Sequence, residues 1–275
     1  MNERVRRVVV RIEKNVTLGP GVHEVTFVAT GGTPWEGAEP GQFAMVRCPG
    51  DEPLLARPLA FLSAEGDRAS FGIKVYGRGS LAIASAPNGT ELVMWGPLGK
   101  PFTRDAAQRH VLVGGGIGVP PLVMQAARLL RDGVRVQSVI VGARTKAELF
   151  GRAQLSVIGT PPSVCTDDGT EGHKGFVTAL LANETLDAGV TIQACGPTPM
   201  MLAVAKLAAP TGARVELSLE ARMGCGVGAC RGCMVATSDT AKAPGGAFAG
   251  REYLCLCLDG PAVDARDVDL ARLGH

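Results

Sequence analysis

The sequence predicts an antiparallel β-barrel, then an α/β domain with a parallel sheet, then a small cysteine-rich domain. Short β-rich runs separated by Gly and Pro clusters fill roughly the first hundred residues, a pattern typical of a small barrel. Strands then alternate with helical segments, which indicates a parallel sheet covered on both faces. From about Glu220, short loops with cysteines and glycines replace regular periodicity.

The composition is that of a globular protein with few special features. A chain of 275 residues accommodates two or three domains, and 46% hydrophobic residues are enough for proper cores. A net charge of +2 gives no reason to expect nucleic acid or an anionic membrane as partner. Because no window reaches the roughly 18 apolar residues of a membrane span and no signal peptide is visible, we expect a cytoplasmic protein.

The barrel is predicted from five runs bounded by turn residues such as Pro87-Asn88-Gly89. These runs are Val5–Glu13, Gly21–Thr30, Gln42–Cys48, Ala69–Tyr76 and Thr90–Trp95. We assign residues 1–103 to this domain.

The α/β domain is assigned to residues 104–214, and the remaining residues 215–275 to the cysteine-rich domain. Apolar spacing predicts a helix over Pro120–Arg131 that ends at Asp132-Gly133. Predicted strands are His110–Val113, Val134–Val141, Pro162–Thr166, Val190–Ala194 and Arg214–Leu219, with further helices near Lys146–Phe150, Gly175–Leu181 and Pro199–Leu207.

Three cysteines near the end of the chain carry the most specific signal. Cys225, Cys230 and Cys233 form the C-x4-C-x2-C arrangement of plant-type [2Fe–2S] sites, which need a distant fourth cysteine. Zinc sites usually pair two short cysteine knuckles, and disulfides are rare in cytoplasmic chains, so both are weaker interpretations. The loop is rich in glycine, which lets backbone N–H groups approach the sulfurs.

The fourth ligand is predicted to be Cys257, with Cys255 as the alternative. Cys257 is preferred because it directly precedes the turn Asp259-Gly260-Pro261. Between the third and fourth ligands, the stretch Ser238–Gly250 is predicted to be a mobile loop.

A glycine loop, Gly114-Gly115-Gly116-Ile117-Gly118, lies between a predicted strand and a predicted helix. That position aims backbone N–H groups and a helix N-terminus at an anion, commonly a pyrophosphate. The loop departs from G-x-G-x-x-G because Val119-Pro120 follow, so a plain tight turn is the alternative.

A second loop, Cys195-Gly196-Pro197, ends a later strand of the same predicted sheet. Ligands of open α/β sheets bind at the carboxyl ends of the strands, so the two loops are expected to border one crevice. For Cys195 alone, a buried core thiol is an equal alternative. Asp167-Asp168-Gly169 is interpreted as a solvated turn.

The barrel region offers its own anion-binding candidates. The Arg57-Pro58-Leu59-Ala60 segment places a guanidinium fork that suits phosphate oxygens. Gly72-Ile73-Lys74 follows, and Gly79-Ser80 opens a short apolar segment that has the features of a helix start. Each of these signals is weak by itself, because a surface arginine beside a proline ordinarily has no binding role.

Taken in order, these segments resemble the ferredoxin–NADP reductase superfamily and, more closely, the electron-transfer subunits of class 1B dihydroorotate dehydrogenases. The resemblance implies an FAD-binding barrel, an NAD-binding α/β domain and a [2Fe–2S] domain. It implies FAD contacts at Arg57–Ala60, Gly72–Lys74 and Gly79-Ser80. The segments are RPLA, GIKVYGRGS, WGPLGKPF, GGGIGVPPL, CGPTPMM, EARMGCGVGACRGC and CLDGP.

The resemblance also implies a partner and an electron path. The partner is an FMN-containing catalytic subunit that oxidises dihydroorotate to orotate in pyrimidine biosynthesis, assembled with this chain as a heterotetramer of two plus two subunits. Electrons would pass through the cluster and FAD to NAD+, and this chain would hold no catalytic residue for dihydroorotate. The alternatives are a hydrogenase-associated or ferredoxin-linked NAD(P)H reductase subunit and a nucleotide-binding redox sensor.

Three positions qualify the resemblance. The family's RP motif usually ends in serine, whereas this chain has Ala60, so backbone groups would have to replace the hydroxyl. Cys255 is an additional cysteine beside the expected ligand. Arg144 follows the second strand of the α/β domain, where an arginine accommodates the 2′-phosphate of NADP. NAD is expected on the resemblance alone.

Overall fold

The computed structural model describes residues 5–50 and 52–273. The N-terminal part is a closed antiparallel barrel, as predicted, with six strands in the order β1-β2-β5-β4-β3-β6. Its elements are β1 (Arg6–Gly19), β2 (Val22–Ala29), β3 (Phe43–Val46), β4 (Arg57–Glu65), β5 (Arg68–Lys74), helix α1 (Arg78–Ala84) and β6 (Glu91–Leu98).

The barrel core is built on packed aromatic rings. Phe71 lies between Phe27 and Phe61, with ring centroids 5.7 and 5.0 Å away, and Trp35 packs on Phe61 at 5.8 Å. All four side chains are fully buried. Such aromatic pairs add to the stabilisation that burial alone gives.

The sequence analysis missed one barrel strand, β4. It pairs with β3 through contacts such as Met45 opposite Pro58, and with β5 through Phe61 opposite Phe71. A proline at its second residue and weak alternation hide the strand in the sequence. The pairing matters for function because it fixes Arg57 at the start of β4.

The second part is a parallel sheet flanked by helices, also as predicted. Its strands run in the order β10-β9-β8-β7-β11-β12, and helix α2 has the predicted bounds. The elements are β7 (Arg109–Gly115), α2 (Pro120–Arg131), β8 (Val136–Ala143), α3 (Arg152–Val157), β9 (Ser163–Thr166), β10 (His173–Lys174), α4 (Val177–Leu181), β11 (Val190–Cys195), α5 (Thr198–Ala208) and β12 (Arg214–Ser218).

The helix expected over Lys146–Phe150 is one turn of 3-10 helix, Lys146–Glu148. This helix is shorter than predicted because the backbone is already extended at Leu149. The Asp167-Asp168-Gly169 segment is a turn, as predicted, closed by Gly169 N donating to Thr166 O.

The third part is a small cysteine-rich unit that returns to the parallel sheet. It contains β13 (Met234–Ala236), α6 (Asp239–Lys242), β14 (Tyr253–Cys255), α7 (Leu256–Asp259) and β15 (Ala262–Asp264). β13 and β14 form an antiparallel pair, and β15 pairs with β12 as the seventh strand of the main sheet.

The boundary that we assigned after residue 214 falls at the first residue of β12. This strand pairs in parallel with β11 from Arg214 to Ser218, so it belongs to the nucleotide-binding sheet. We therefore propose a boundary after Ser218. The antiparallel return of β15 makes the last two parts share one core.

The stretch Ser238–Gly250, expected to be mobile, is a folded loop closed by its own hydrogen bonds. The Ser238 hydroxyl caps α6 by accepting from Ala241 N at 3.1 Å. Phe248 N donates to Ala241 O, and Gly250 N donates to Lys242 O, both at 2.9 Å. These hydrogen bonds define the path of the loop, and its mobility stays a prediction.

Within the described residues, none of the helices combines the length and apolarity that crossing a membrane requires.

A buried polar network joins the three parts. Gln193 of β11 accepts from Gln125 of α2 and donates to Glu216 of β12, at 2.9 and 2.8 Å. The Glu216 carboxylate also accepts from the backbone N of Thr103, at 3.1 Å, in the segment that leaves the barrel. Arg214 then bridges Glu216, at 3.1 Å, to Asp264 of β15, at 3.2 Å.

Removing the carboxylate of Glu216 should therefore destabilise the whole chain. In Glu216→Ala the buried donors Gln193 Nε2 and Thr103 N lose a partner, so we expect the free energy of unfolding to fall by about 3 kcal/mol. Chemical denaturation followed by circular dichroism measures this change. The control is Glu252→Ala, an exposed glutamate paired with Lys242, which should change stability by less than about 0.5 kcal/mol. Equal effects would contradict a special role for the network.

Candidate functional site

A cavity of about 780 Å³ opens between the barrel, the nucleotide-binding sheet and the start of the cysteine-rich unit. All nine predicted FAD-contact residues line it. From the predicted nucleotide loops, Ile117, Gly118 and Cys195 line it as well. The other five predicted residues of these loops, Gly114, Gly115, Gly116, Gly196 and Pro197, do not line it. A second cavity, of about 580 Å³, lies between α2, α3 and the barrel, and no predicted site residue lines it.

Arg57 begins β4 and projects over α1. Its Nη1 donates to the carbonyl of Leu55 at 2.6 Å, which orients the guanidinium. A Cβ atom at Gly79 would lie 2.2 Å from Arg57 Nε, so the glycine leaves the space that the arginine occupies. The arginine is thus held at the cavity wall, where its planar fork suits a phosphate group.

Ser80 shapes the turn before α1 with its own side chain. Its hydroxyl accepts from Tyr76 N at 2.9 Å and Gly77 N at 3.2 Å, and donates to Gly77 O at 3.0 Å. The hydroxyl is therefore engaged within the chain. Gly79-Ser80 therefore contributes to the predicted site through its backbone groups and through the shape of the turn.

The two nucleotide loops meet backbone to backbone, as expected for the carboxyl ends of neighbouring strands. Gly114 lies opposite Cys195 in the register of β7 and β11. A Cβ atom at Gly118 would lie 2.5 Å from the carbonyl of Cys195, and one at Gly196 would lie 3.0 Å from Gly115 Cα. Only glycine allows this approach. The first turn of α2 offers no free N–H group, because Pro120 and Pro121 have none and the N–H groups of Leu122 and Val123 donate to Val119 O.

The Cys195 thiol is a buried neutral group. Only 4% of the residue is exposed, and burial raises the pKa of the thiol to about 12. A thiol with such a pKa is not a nucleophile near neutral pH. The structure therefore favours the packing interpretation of its side chain, while its backbone forms the crevice.

Sequence reasoning missed several polar residues of the cavity wall, among them Ser218 and Glu220. Glu220 lies at the cavity mouth, and desolvation by the surrounding protein atoms raises the pKa of its carboxyl. The signal was available, because both residues stand at the carboxyl end of the predicted strand Arg214–Leu219. The same edge of the sheet carries both glycine loops.

The cysteines of the C-terminal unit fall into two groups. Cys233, Cys255 and Cys257 are buried, and their sulfur atoms lie within 4.8 Å of one another. Cys225 and Cys230 stand on the preceding loop, which is more exposed. The structure thus brings two predicted ligands, Cys233 and Cys257, together with the extra Cys255, and does not include Cys225 and Cys230 in that group of sulfurs.

Backbone N–H groups of the loop point at its sulfur atoms. Val227 N and Cys230 N each donate to Cys225 Sγ at 3.4 Å, and Gly232 N donates to Cys230 Sγ at 3.5 Å. These donors stabilise a thiolate, and the pKa of Cys230 is lowered to about 7 with the Gly232 amide as the largest cause. A set of sulfurs surrounded by amide donors fits an iron–sulfur cluster.

The loop is pressed between the barrel and α7, and two glycines permit this. Gly226 and Gly228 have φ of +73° and +80°, a left-handed conformation that favours glycine. Their Cβ atoms would lie 2.5 Å from Met45 and 2.3 Å from Leu258. Trp95 of the barrel donates from Nε1 to the carbonyl of Cys225 at 3.0 Å.

The cysteine loop therefore starts at the cavity itself. Arg222 and Met223 line the cavity, and Cys225 follows two residues later. A cluster held by these sulfurs would stand beside a cofactor bound in the cavity.

Hydrogen bonding favours Cys257 over Cys255 as the fourth ligand. Gly228 N, on the loop, donates to Cys257 Sγ at 3.1 Å, and Cys257 N donates to Cys233 Sγ at 3.4 Å. Cys255 Sγ contacts only the neighbouring sulfurs, at 3.5 and 3.6 Å, while its own N–H donates to Asp259. The assignment of Cys257 therefore stays our prediction.

We predict that Cys257→Ser loses the cluster and that Cys255→Ser keeps it. Of these two cysteines, only Cys257 receives an N–H donor from the cluster loop, so only its replacement removes a sulfur that the loop holds. Iron and acid-labile sulfide analysis of anaerobically purified protein measures the outcome. Retention of iron in Cys257→Ser with loss in Cys255→Ser would reassign the ligand.

Comparison with known proteins agrees with this geometry. A family model for the iron-sulfur cluster binding domain of dihydroorotate dehydrogenase B matches residues 220–269. Among solved structures, the NADH-dependent reduced ferredoxin-NADP oxidoreductase superposes with a TM-score of 0.81 at 27% identity, over 96% of this chain and 91% of that one. The ferredoxin reductase in carbazole 1,9a-dioxygenase, at 20% identity and TM-score 0.67, covers 76% and 67% of the two chains and shares the fold.

Curated relatives match over most of their length. The dihydroorotate dehydrogenase B (NAD(+)) electron transfer subunit of Shouchella clausii is 38% identical, over 85% of this chain and 87% of that protein. The subunit of the same name from Bacillus caldolyticus is 39% identical over 84% and 87%. On these identities and coverages, the chain belongs to the family of dihydroorotate dehydrogenase B (NAD(+)) electron transfer subunits.

Proposed function

We propose that this chain accepts electrons from a dihydroorotate-oxidising catalytic subunit and delivers them to NAD+. One observation carries the proposal. A single cavity is walled by the FAD-contact segments of the barrel, by the glycine crevice of the nucleotide-binding sheet and by the first residues of the cysteine loop. Three candidate binding segments for redox groups therefore border one cavity, which supports the proposal.

The barrel wall would hold FAD. Arg57 offers its guanidinium to a phosphate, and β5 contributes the Gly72–Lys74 backbone to the cavity. FAD bound there would supply exchange of both one and two electrons, which joins a one-electron cluster to a two-electron nicotinamide. Ala60 has no hydroxyl group to contribute to this wall, whereas Ser218, which lines the same cavity, has one.

The crevice formed by Gly114–Gly118 and Cys195–Pro197 would hold NAD+. Backbone N–H groups of the two loops and the positive end of the α2 dipole suit the pyrophosphate. The Cys195 thiol stays protonated near neutral pH, because burial raises its pKa to about 12, so it does not attack the nicotinamide. The chain's own residues bind and orient, and the oxidation of dihydroorotate is assigned to the partner.

The partner is proposed to be an FMN-containing catalytic subunit, assembled with this chain as two plus two subunits in the cytoplasm. A surface beside the cysteines supports such an assembly. Val227, Leu258, Tyr253 and Met234 are apolar side chains between 36% and 47% exposed on the loop, on α7 and on the β13–β14 pair. Exposed apolar side chains grouped in this way mark protein contacts. Eight cysteines without a disulfide among them agree with a reducing compartment.

A second candidate function is an NAD(P)H-linked reductase subunit that serves a ferredoxin or a hydrogenase. The specific observation is the TM-score of 0.81 with the NADH-dependent reduced ferredoxin-NADP oxidoreductase over 96% of this chain. The same three-part architecture can therefore carry electrons in another complex.

We expect Arg57→Ala to weaken FAD binding by about ten- to a hundredfold, because a charge-assisted hydrogen bond to phosphate is lost. Flavin content after gel filtration and fluorescence titration of the flavin-free chain measure the affinity. Arg68→Ala is the matched control, since Arg68 lies on β5 but pairs with Glu13 on the exposed barrel face. Full FAD retention in Arg57→Ala would remove this residue from the site.

Purification of the tagged chain from its own cells, without oxygen, tests the function itself. We expect about two irons and about one FAD per chain, a co-purifying FMN protein that oxidises dihydroorotate, and rapid reduction of the bound flavin by NADH. A hydrogenase or ferredoxin partner would instead favour the second candidate. Binding of NADH without flavin reduction would indicate a redox sensor.

A further inference from the structure

An additional thiol lies against two of the predicted cluster ligands. Cys255 Sγ is 3.5 Å from Cys233 Sγ and 3.6 Å from Cys257 Sγ, distances at which a thiol donates a hydrogen bond to sulfur. All three side chains are buried, and Cys255 is 0% exposed. The thiol of Cys255 is therefore closed to solvent and in contact with both ligand sulfurs.

Backbone contacts on both sides fix the position of this thiol. Cys255 N donates to Asp259 Oδ2 at 2.7 Å, and Asp259 is itself paired with Arg251. The next residue, Leu256, donates from its N to Cys233 O at 3.0 Å, which ties the end of β14 to the third predicted ligand. Cys255 is thus held beside Cys233 by the fold of the cysteine-rich unit.

The two ligand sulfurs have few other hydrogen-bond donors. Among the residues that the structure describes, Cys233 Sγ accepts one N–H group, from Cys257 at 3.4 Å, and Cys257 Sγ accepts one, from Gly228 at 3.1 Å. An S–H group from Cys255 is therefore a large addition to the hydrogen bonding at this end of the ligand set.

A donor in this position acts on the reduction potential of a bound cluster. Reduction of a [2Fe–2S] cluster adds one electron, and part of the added negative charge lies on the sulfur atoms. A hydrogen bond to a ligand sulfur therefore stabilises the reduced state more than the oxidised state, which raises the potential. A cysteine that binds no metal supplies such a donor through its S–H group.

We propose that Cys255 raises the reduction potential of the cluster by donating its S–H group to the ligand sulfurs beside it. Cys255 is then a positioning residue, which contacts the sulfurs of Cys233 and Cys257 and binds no iron. The proposal rests on the cluster of the proposed function, and it holds whichever partner delivers the electrons. In a one-electron relay between two flavins, this potential sets how readily the cluster takes up an electron and passes it on.

The test compares Cys255→Ala, Cys255→Val and Cys255→Ser in the chain loaded with FAD and cluster. Ala and Val lack a donor and differ in volume, whereas Ser keeps an O–H donor. An anaerobic redox titration, followed by the low-temperature EPR signal of the reduced cluster, gives the midpoint potential. In the Ala and Val variants we expect the ratio of reduced to oxidised cluster at a fixed potential to fall by about tenfold, which is about 59 mV for one electron. The Ser variant should stay within about threefold of the parent chain.

A matched control is Cys165→Ala. Cys165 is also a buried thiol, but it lies on β9, near the edge of the main sheet opposite to β15. Its replacement should leave the midpoint potential as in the parent chain. Iron and acid-labile sulfide are measured in every variant, so that potentials are compared at equal cluster content.

The outcomes separate this proposal from the proposed function. If the Ala and Val variants keep the parent potential, or if Val matches Ser and Ala alone differs, the donor role is wrong, and the second pattern would indicate packing. Loss of iron in all three variants would also overturn it and would make Cys255 a ligand. In each of these cases, reduction of the flavin by NADH in the parent chain still supports the proposed function. A parent chain that takes no electrons from NADH, while the variants show the expected potentials, would support the role of Cys255 and contradict the proposed function.

Discussion

A buried carboxylate on strand β12 connects the three parts of this molecule. Glu216 accepts from Gln193 of the sheet and from the backbone of Thr103, which leaves the barrel, and pairs with Arg214. Arg214 in turn reaches Asp264 on the strand that returns from the cysteine-rich unit. Because removal of any one partner leaves buried polar groups unpaired, the network fixes the relative placement of the three parts.

Because the three parts are fixed relative to one another, residues from all of them line one cavity. The barrel brings Arg57, the sheet brings two glycine loops in backbone contact, and the segment after β12 brings Glu220 and the start of the cysteine loop. Charge then refines the site. Amide donors surround the sulfurs, and the Glu148 carboxylate joins Lys74 of the barrel to Arg144 of the sheet.

Much of the fold could be predicted from local patterns. Helix α2 has the predicted bounds, because apolar spacing, Pro at its start and Asp132-Gly133 after its end all act within the segment. Strand β4 was missed because Pro58 is unusual within a strand. The strand is defined by its pairing with β3 and β5, which the local sequence does not show. The boundary after residue 214 was misplaced for the same reason: β12 is assigned by its pairing with β11, and β15 by its pairing with β12.

The sequence by itself determined the cluster motif, the glycine loops and the order of the three parts, because fixed spacing along a chain encodes local geometry. Only the tertiary structure decided which residues meet. The tertiary structure places Ser218 and Glu220 at the cavity and pairs Arg144 with Glu148. It also directs the N–H group of Gly228 to Cys257 and not to Cys255. These choices depend on contacts between segments far apart in the chain, and such contacts leave no trace in spacing.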